Sequence, residues 1–397
     1  METSTTPPRA DRRQFSFTAH GVTIDDPYAW RKDPGYPDVT DKDVLAYLEA
    51  ENAYFEGVMV PLKPLTDRLY EEMKGRIKED DSSVPQKDGD WFYWTAFETG
   101  GQYRKWWRKP VAGGPDELLL DEPALAEGKE YFRLGALSVS NDGRLMAYAI
   151  DDNGSERFEV RVKVIATGEH LPEVIPGMLS EIVWAADDSG FLYGLANDQW
   201  RTDNARFHRL GTPISDDIEL FKEADEGFRV GVSETSDRLW IVIATGDHVT
   251  SEVWLVPASD PLATPVCVSP RQVGREYDVD AHGDTLFIHT NDTHPNFRLC
   301  TAPISDPGTW TELIGASPDF YMTGVSCFAG FFIVDGREAG LDQIEIHSYD
   351  GGTPRRIEFP EASYGAGLGD NPEYDMSVLR LGYESMVTPG TVYDYDV

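Results

Sequence analysis

One strand–turn–strand pattern can be laid over this chain six times. The copies are VPQKDGDWFYWTAF at 84–97, LSVSNDGRLMAYA at 137–149, IVWAADDSGFLYGL at 182–195, VGVSETSDRLWIVIA at 230–244, YDVDAHGDTLFIHT at 277–290 and TGVSCFAGFFIVDG at 323–336. Their turn centres, Gly89, Gly143, Gly190, Asp237, Gly283 and Gly330, stand 54, 47, 47, 46 and 47 residues apart. A third run follows each pair, near Tyr103, Phe158, Ala205, Glu252, Phe297 and Gln343, and a seventh such run lies at Thr391. Short alternating apolar runs closed by Gly, Asp-Gly or Pro are strand-and-turn chemistry. A period of this length with three or four strands per unit is the pattern of a β-propeller. One twisted sheet cannot bury both faces alone, whereas in a ring of sheets each face packs on a neighbour. A sandwich would not keep the period through five intervals, and a β-helix needs a much shorter one. The seven third-run landmarks predict an all-β, seven-bladed β-propeller. Earlier units continue into a fourth run, as in ELLLDE at 117–122 and RRIEFP at 355–360, but the seventh stops on its third at 391–397. The last blade is therefore expected to lack its outer strand, which would leave an exposed edge, so the chain reads as the front part of a longer protein.

The first residues differ in kind. Positions 1–14 are rich in Thr, Pro, Arg and Asp and read as a disordered tail. Thr40 followed by Asp43 resembles a capping box, with Val44, Leu48 and Phe55 recurring at helical spacing after it. Beyond Pro61 and Pro64 a second periodic set appears, Leu65, Leu69, Met73 and Ile77. The expected domains are a tail at 1–14, an N-terminal helical arm at 15–78 and the propeller at 79–397. The run Gly365-Ala366-Gly367-Leu368-Gly369 is expected to be a connector between blades.

Composition narrows the partners. Asp and Glu number 70 against 35 Lys and Arg, a formal charge of −35. Such a surface repels nucleic-acid phosphates and anionic lipid, so neither is an expected partner, and it favours cationic ligands. Solubility is the competing reason for the same charge. No apolar run approaches the length of about 18 residues that a membrane span needs, and Met1 to Gln14 holds no apolar segment of a secretory signal, so a soluble cytoplasmic protein is expected. Cys267, Cys300 and Cys327 match no zinc spacing and read as buried small hydrophobes.

Searches for self-sufficient chemistry return little. There is no G-x-S-x-G; Gly231-Val232-Ser233-Glu234-Thr235 and Gly324-Val325-Ser326-Cys327-Phe328 come nearest, and both sit in repeat strands. No phosphate-binding loop is present. The segment Asp278 to Gly283 puts His282 and His289 where a calcium loop needs oxygen ligands. His282, His289 and His294 are spaced for structural or surface roles. No catalytic residue, metal or cofactor is expected in this chain.

The front of the sequence carries a family likeness. His20-Gly21-Val22 leading into Asp25-Asp26-Pro27-Tyr28-Ala29-Trp30, with the helical Tyr47-Leu48-Glu49-Ala50-Glu51-Asn52, resembles the N-terminal signature of the prolyl oligopeptidase family of serine peptidases. The segments Arg76 to Pro85, Gly211-Thr212-Pro213, Thr250-Ser251-Glu252-Val253 and Arg380 to Pro389 look like the oligopeptidase B (protease II) group within it. The likeness runs in order from about residue 14 to the end. It implies a two-part enzyme, in which a propeller covers the active site of an α/β-hydrolase domain and a helical arm packs on that domain. It further implies cleavage of short peptides after Arg or Lys, with the serine, aspartate and histidine of the triad on the hydrolase half, so none is carried onto this chain. Glu130, in Gly128-Lys129-Glu130-Tyr131-Phe132, resembles a propeller acid that pairs with a base of the catalytic domain. Arg157 is the second candidate for that gating surface. The implied partners are the α/β-hydrolase domain of the same protein and short basic peptides. A stand-alone propeller that binds a peptide or protein, and an independent enzyme with its site in the propeller funnel, are the alternatives.

Overall fold

A computed structural model describes residues 6–36, 38–179 and 181–397. The chain divides into two compact units, Met1–Glu79 and Asp80–Val397.

The first unit opens on a hairpin, Ser16–Ala19 against Val22–Asp25, whose turn places His20 and Gly21 at φ of 51° and 77°. In the stretch expected to be a tail, Asp11 accepts a 2.7 Å bond from the Trp30 indole and Arg13 meets Asp43 at 2.8 Å; residues 1–5 of that stretch lie outside the described residues. Two helices follow, α1 (Lys42–Met59) and α2 (Lys63–Lys74). The cap of α1 is Asp41, not Thr40: its carboxylate accepts the Asp43 and Val44 N–H groups at 2.8 and 3.2 Å. The Thr40 backbone is used elsewhere, its N–H donating to Asp33 at 2.6 Å. Pro64 sits in the first turn of α2, where no intrahelical donor is needed. Along both helices Val44 alone is buried.

The second unit is a seven-bladed β-propeller. Its sheets span 86–121, 133–178, 183–222, 229–267, 277–314, 320–356 and 364–396; each is an antiparallel meander of consecutive strands, and the last holds three strands where the others hold four. Among the described residues no strand is shared between the first sheet and the seventh. The apolar core lies between sheets, as the repeat requires. Ala147, Val160 and Val162 of the second blade pack with Trp184, Phe191 and Tyr193 of the third, and Val183 and Phe207 of the third with Val232 and Ile241 of the fourth. Each large side chain buried this fully contributes about 2 kcal/mol of transfer energy.

Two details depart from the sequence reading. Gly365–Leu368 is not a connector; Tyr364–Leu368 forms the innermost strand of the seventh blade, paired with residues 381–385. Gly190 is not a turn centre but begins the second strand of its blade, and it must be glycine because a Cβ there would fall 2.0 Å from the His208 carbonyl oxygen. The left-handed position of that turn is Asp188, at φ 56°, where its counterpart in the second blade is Gly143 at 70°. Among the described residues no helix is long and apolar enough to cross a membrane.

Candidate functional site

In an antiparallel meander the turns between second and third strands share one face of the ring with the connectors between blades. Glu130 and Arg157 both fall on that face. Glu130 lies on the connector from the first blade to the second. The connector begins with a short helix, Glu122–Ala126, capped by the Asp121 carboxylate and tied down by the Trp106 indole, which donates to Glu122 at 2.6 Å. It ends on buried Phe132, edge-on to Tyr103 at 5.4 Å. Between these anchors Lys129 meets Asp152 at 2.9 Å, across to the turn that carries Arg157. Glu130 itself is exposed, and its carboxylate has no partner among the described residues.

Arg157 is positioned by that turn. The Asp151 carboxylate is buried and accepts three backbone N–H groups, from Asn153 and Gly154 at 3.0 Å and from Glu156 at 2.7 Å. Glu156 takes φ 55° to complete the loop. The Arg157 guanidinium then reaches the third blade, where it donates to the Asn197 carbonyl at 2.8 Å and lies 5.2 Å from the Trp200 ring centre. It forms no ion pair with a carboxylate among the described residues. A cavity of about 540 Å³ opens beside it, lined by Asp151, Asp152, Ser155, Arg157, Glu159 and Arg161. Neighbouring charges there are already matched, Glu159 with Arg161 at 2.7 Å and Asp152 with Lys129. Glu130 and Arg157 are thus two charges of this rim that form no ion pair among the described residues, suited to pairing with charges on another surface.

Among the described residues, the three cysteines and the buried His208 do not assemble a group that could perform acyl transfer. Burial pushes the Cys267 thiol up to about 11, and holds Cys300 and Cys327 above the usual thiol range. The buried His208 imidazole bonds Asp217 at 2.8 Å, and Asp217 also accepts from Tyr193 at 2.6 Å. No serine or cysteine reaches that imidazole among the described residues. His289 bonds Asp278, His294 accepts the Asn296 N–H, and His282 bonds Tyr374. Among the described residues no group of three metal-ligating side chains converges.

The fold agrees with what the chain is similar to. Residues 7–397 match the family model described as the prolyl oligopeptidase N-terminal β-propeller domain. This chain belongs to the prolyl oligopeptidase family. It is 35% identical to the dipeptidyl aminopeptidase BI of Pseudoxanthomonas mexicana, over 99% of this chain and 57% of that protein. It is 28% identical to protease 2 of Moraxella lacunata, over 97% of this chain and 56% of that one. Among solved structures, oligopeptidase B from Leishmania major superposes with a TM-score of 0.92 at 26% identity, covering 99% of this chain and 59% of its own. Oligopeptidase B from Trypanosoma brucei, in a closed form with covalently bound antipain, gives 0.91 at 28%. The chain therefore spans a little over half the length of these family members.

Proposed function

We propose that this propeller is the gating, size-selecting portion of an oligopeptidase B-like serine peptidase that cleaves short peptides after Arg or Lys, and that alone it is inactive. The match to the family's propeller model over 7–397 carries the reading. The propeller's role is steric: it caps the triad of an α/β-hydrolase domain and leaves an entry too narrow for folded proteins. Glu130 and Arg157 meet opposite charges on that domain, an ion-pair contact made in the closed enzyme and broken in the open one. The helical arm supplies a second contact. Leu65, Leu69, Met73 and Ile77 recur along one side of α2 and the residues that follow it, and all four stay between 44% and 66% exposed. An apolar stripe of that kind asks for a partner surface. The charge of −35 raises the local concentration of basic peptides in a salt-dependent way.

The test pairs two assays. The chain alone should release no product from peptide esters of Arg or Lys, and turnover by a pure preparation would overturn the assignment. The product of the whole gene should hydrolyse them, and Glu130→Gln in that protein should change kcat/KM and weaken its dependence on salt. A whole protein without peptidase activity would favour a propeller that only binds peptides.

A further inference from the structure

The turns between first and second strands lie on the opposite face, around the other mouth of the ring's channel. Six of them hold two to five residues; the seventh, 369–377, holds nine. Its base is rigid. The Asn371 side chain donates to the Gly369 and Arg380 carbonyls at 2.8 and 3.0 Å, and accepts the Arg380 N–H at 2.7 Å. Its tip contacts four other blades. Glu373 pairs with Lys87 of the first. The Pro372 carbonyl accepts from Arg238 of the fourth at 3.2 Å. The Tyr374 hydroxyl bonds His282 of the fifth, and its carbonyl accepts the Ala329 N–H of the sixth at 2.9 Å.

In a ring of seven, the fourth blade is at least three steps from the seventh whichever way one counts. A loop of the seventh that touches it must cross the axis. Arg238 makes the matching reach from the other side. It meets both Asp88 carboxylate oxygens of the first blade at 3.0 and 3.1 Å and Glu234 of its own at 3.3 Å, and it does so from a left-handed backbone at φ 56°. A non-glycine residue persists in that conformation when surrounding contacts hold it. Tyr374 also covers a packed cluster that includes the fully buried Cys327.

We propose that loop 369–377 is a plug across this mouth of the channel, latched by Arg238 and His282, so that an extended peptide cannot pass the ring from this side until the loop lifts. The plug is a property of the ring and does not depend on the peptidase reading.

The chain holds its own reporter. Lifting the loop uncovers Cys327, whereas Cys300, equally buried within the fifth blade, opens only when that blade unfolds. Maleimide labelling with peptide mapping should find both thiols protected in the parent. In Arg238→Ala/His282→Ala, Cys327 labelling should rise by about tenfold with Cys300 unchanged, as expected of a local opening. Should that variant fail to fold, the parent in about 1 M salt, which screens the half-exposed Arg238–Asp88 and Lys87–Glu373 pairs, should show the same selective rise. Unchanged Cys327 labelling, or both thiols rising together, would overturn the plug.

Discussion

The Ser236 hydroxyl donates to the Asp280 carboxylate at 2.6 Å, joining the fourth blade to the fifth across 44 positions of sequence. Asp280 also accepts the Ser236 N–H at 2.8 Å and, from the sixth blade, the Cys327 N–H at 2.7 Å. Asp188 serves the same purpose one repeat unit from Asn141, accepting the Asn141 and Asp142 N–H groups at 2.8 and 2.9 Å. A carboxylate is well suited to such a joint because two oxygens can serve donors from different strands at once.

Removing this acceptor leaves the buried Cys327 N–H of the sixth blade and the half-buried Ser236 N–H of the fourth without their partner. Asp280→Ala is expected to cost about 3 kcal/mol of unfolding free energy, and Ser236→Ala about 1 kcal/mol, since the latter removes one donor and strands no backbone group. Urea unfolding of the two variants and their double mutant measures both, and the pair should be non-additive because the residues share one bond.

Asp335 gives the ring a pH dependence. Burial, with the nearby Asp342 charge second, pushes its carboxyl up to about 6 from the ordinary 3.8. A folded-state value above the unfolded one means that the native protein holds the proton more tightly. Stability from this group is therefore greatest at acid pH and is lost as pH rises from about 4 through 6, a penalty of about 3 kcal/mol by pH 7. Asp335→Asn should stabilise the chain at pH 7 and not at pH 4. The difference in urea midpoint between variant and parent, followed over that range, is the measurement.

The ring was legible because its period rests on backbone needs that particular residues announce. Gly89, Gly143 and Gly283 sit at φ of 57°, 70° and 57°, where a side chain is disfavoured, and each marks a turn. The seventh hairpin escaped notice for a physical reason: its nine-residue turn displaces the landmark, and a strand with Gly365 and Gly367 lacks strand propensity. The rim residues were visible as charges, but their surroundings were not. Nothing local links Arg157 to Trp200, 43 positions on, and their contact exists only because neighbouring blades are in register. Arg238 is harder still to foresee, since its partners Asp88 and Pro372 lie across the ring.

A charge triad of one half-buried arginine and two buried carboxylates joins the third and fourth blades. Arg271 donates to Glu223 at 2.6 Å and to Glu252 at 3.2 Å. Burial alone would raise both carboxyls, but Arg271 and the backbone and side-chain donors around them outweigh it and hold both below the usual glutamate range. Arg271→Ala leaves two carboxylates that are under a tenth exposed with no cation between them. The expected loss is about 3 kcal/mol or more at neutral pH, and less below about pH 4, where the freed acids protonate instead. Arg271→Lys should fall between, because a single ammonium keeps the charge and loses the forked geometry. Thermal midpoints at the two pH values distinguish the three proteins.

The seam between the seventh and first blades depends on side chains. Arg380 donates to the Pro85 carbonyl at 2.8 Å and to Gln86 at 2.9 Å, while Asp394 holds its other edge at 2.9 Å. No ladder of backbone bonds crosses this boundary among the described residues. Other seams carry some backbone bonding, as where Leu179 N–H donates to the Gly194 carbonyl at 3.1 Å and Ala196 N–H to the Gly177 carbonyl at 2.9 Å between the second and third blades, and there the chain itself also runs from one sheet to the next and limits how far they part. Here the covalent tie runs the long way round, through every other blade. Arg380→Ala should therefore loosen this boundary before any other. Amide exchange in Gln86–Asp88 and Tyr364–Leu368 should rise several-fold, with strands of the third blade such as Asn204–Arg209 unmoved, since sub-global opening is confined to the segment whose contacts are lost. An equal rise in the third blade would mean that Arg380 stabilises the whole ring and that its closure is no weaker at this seam than at the others.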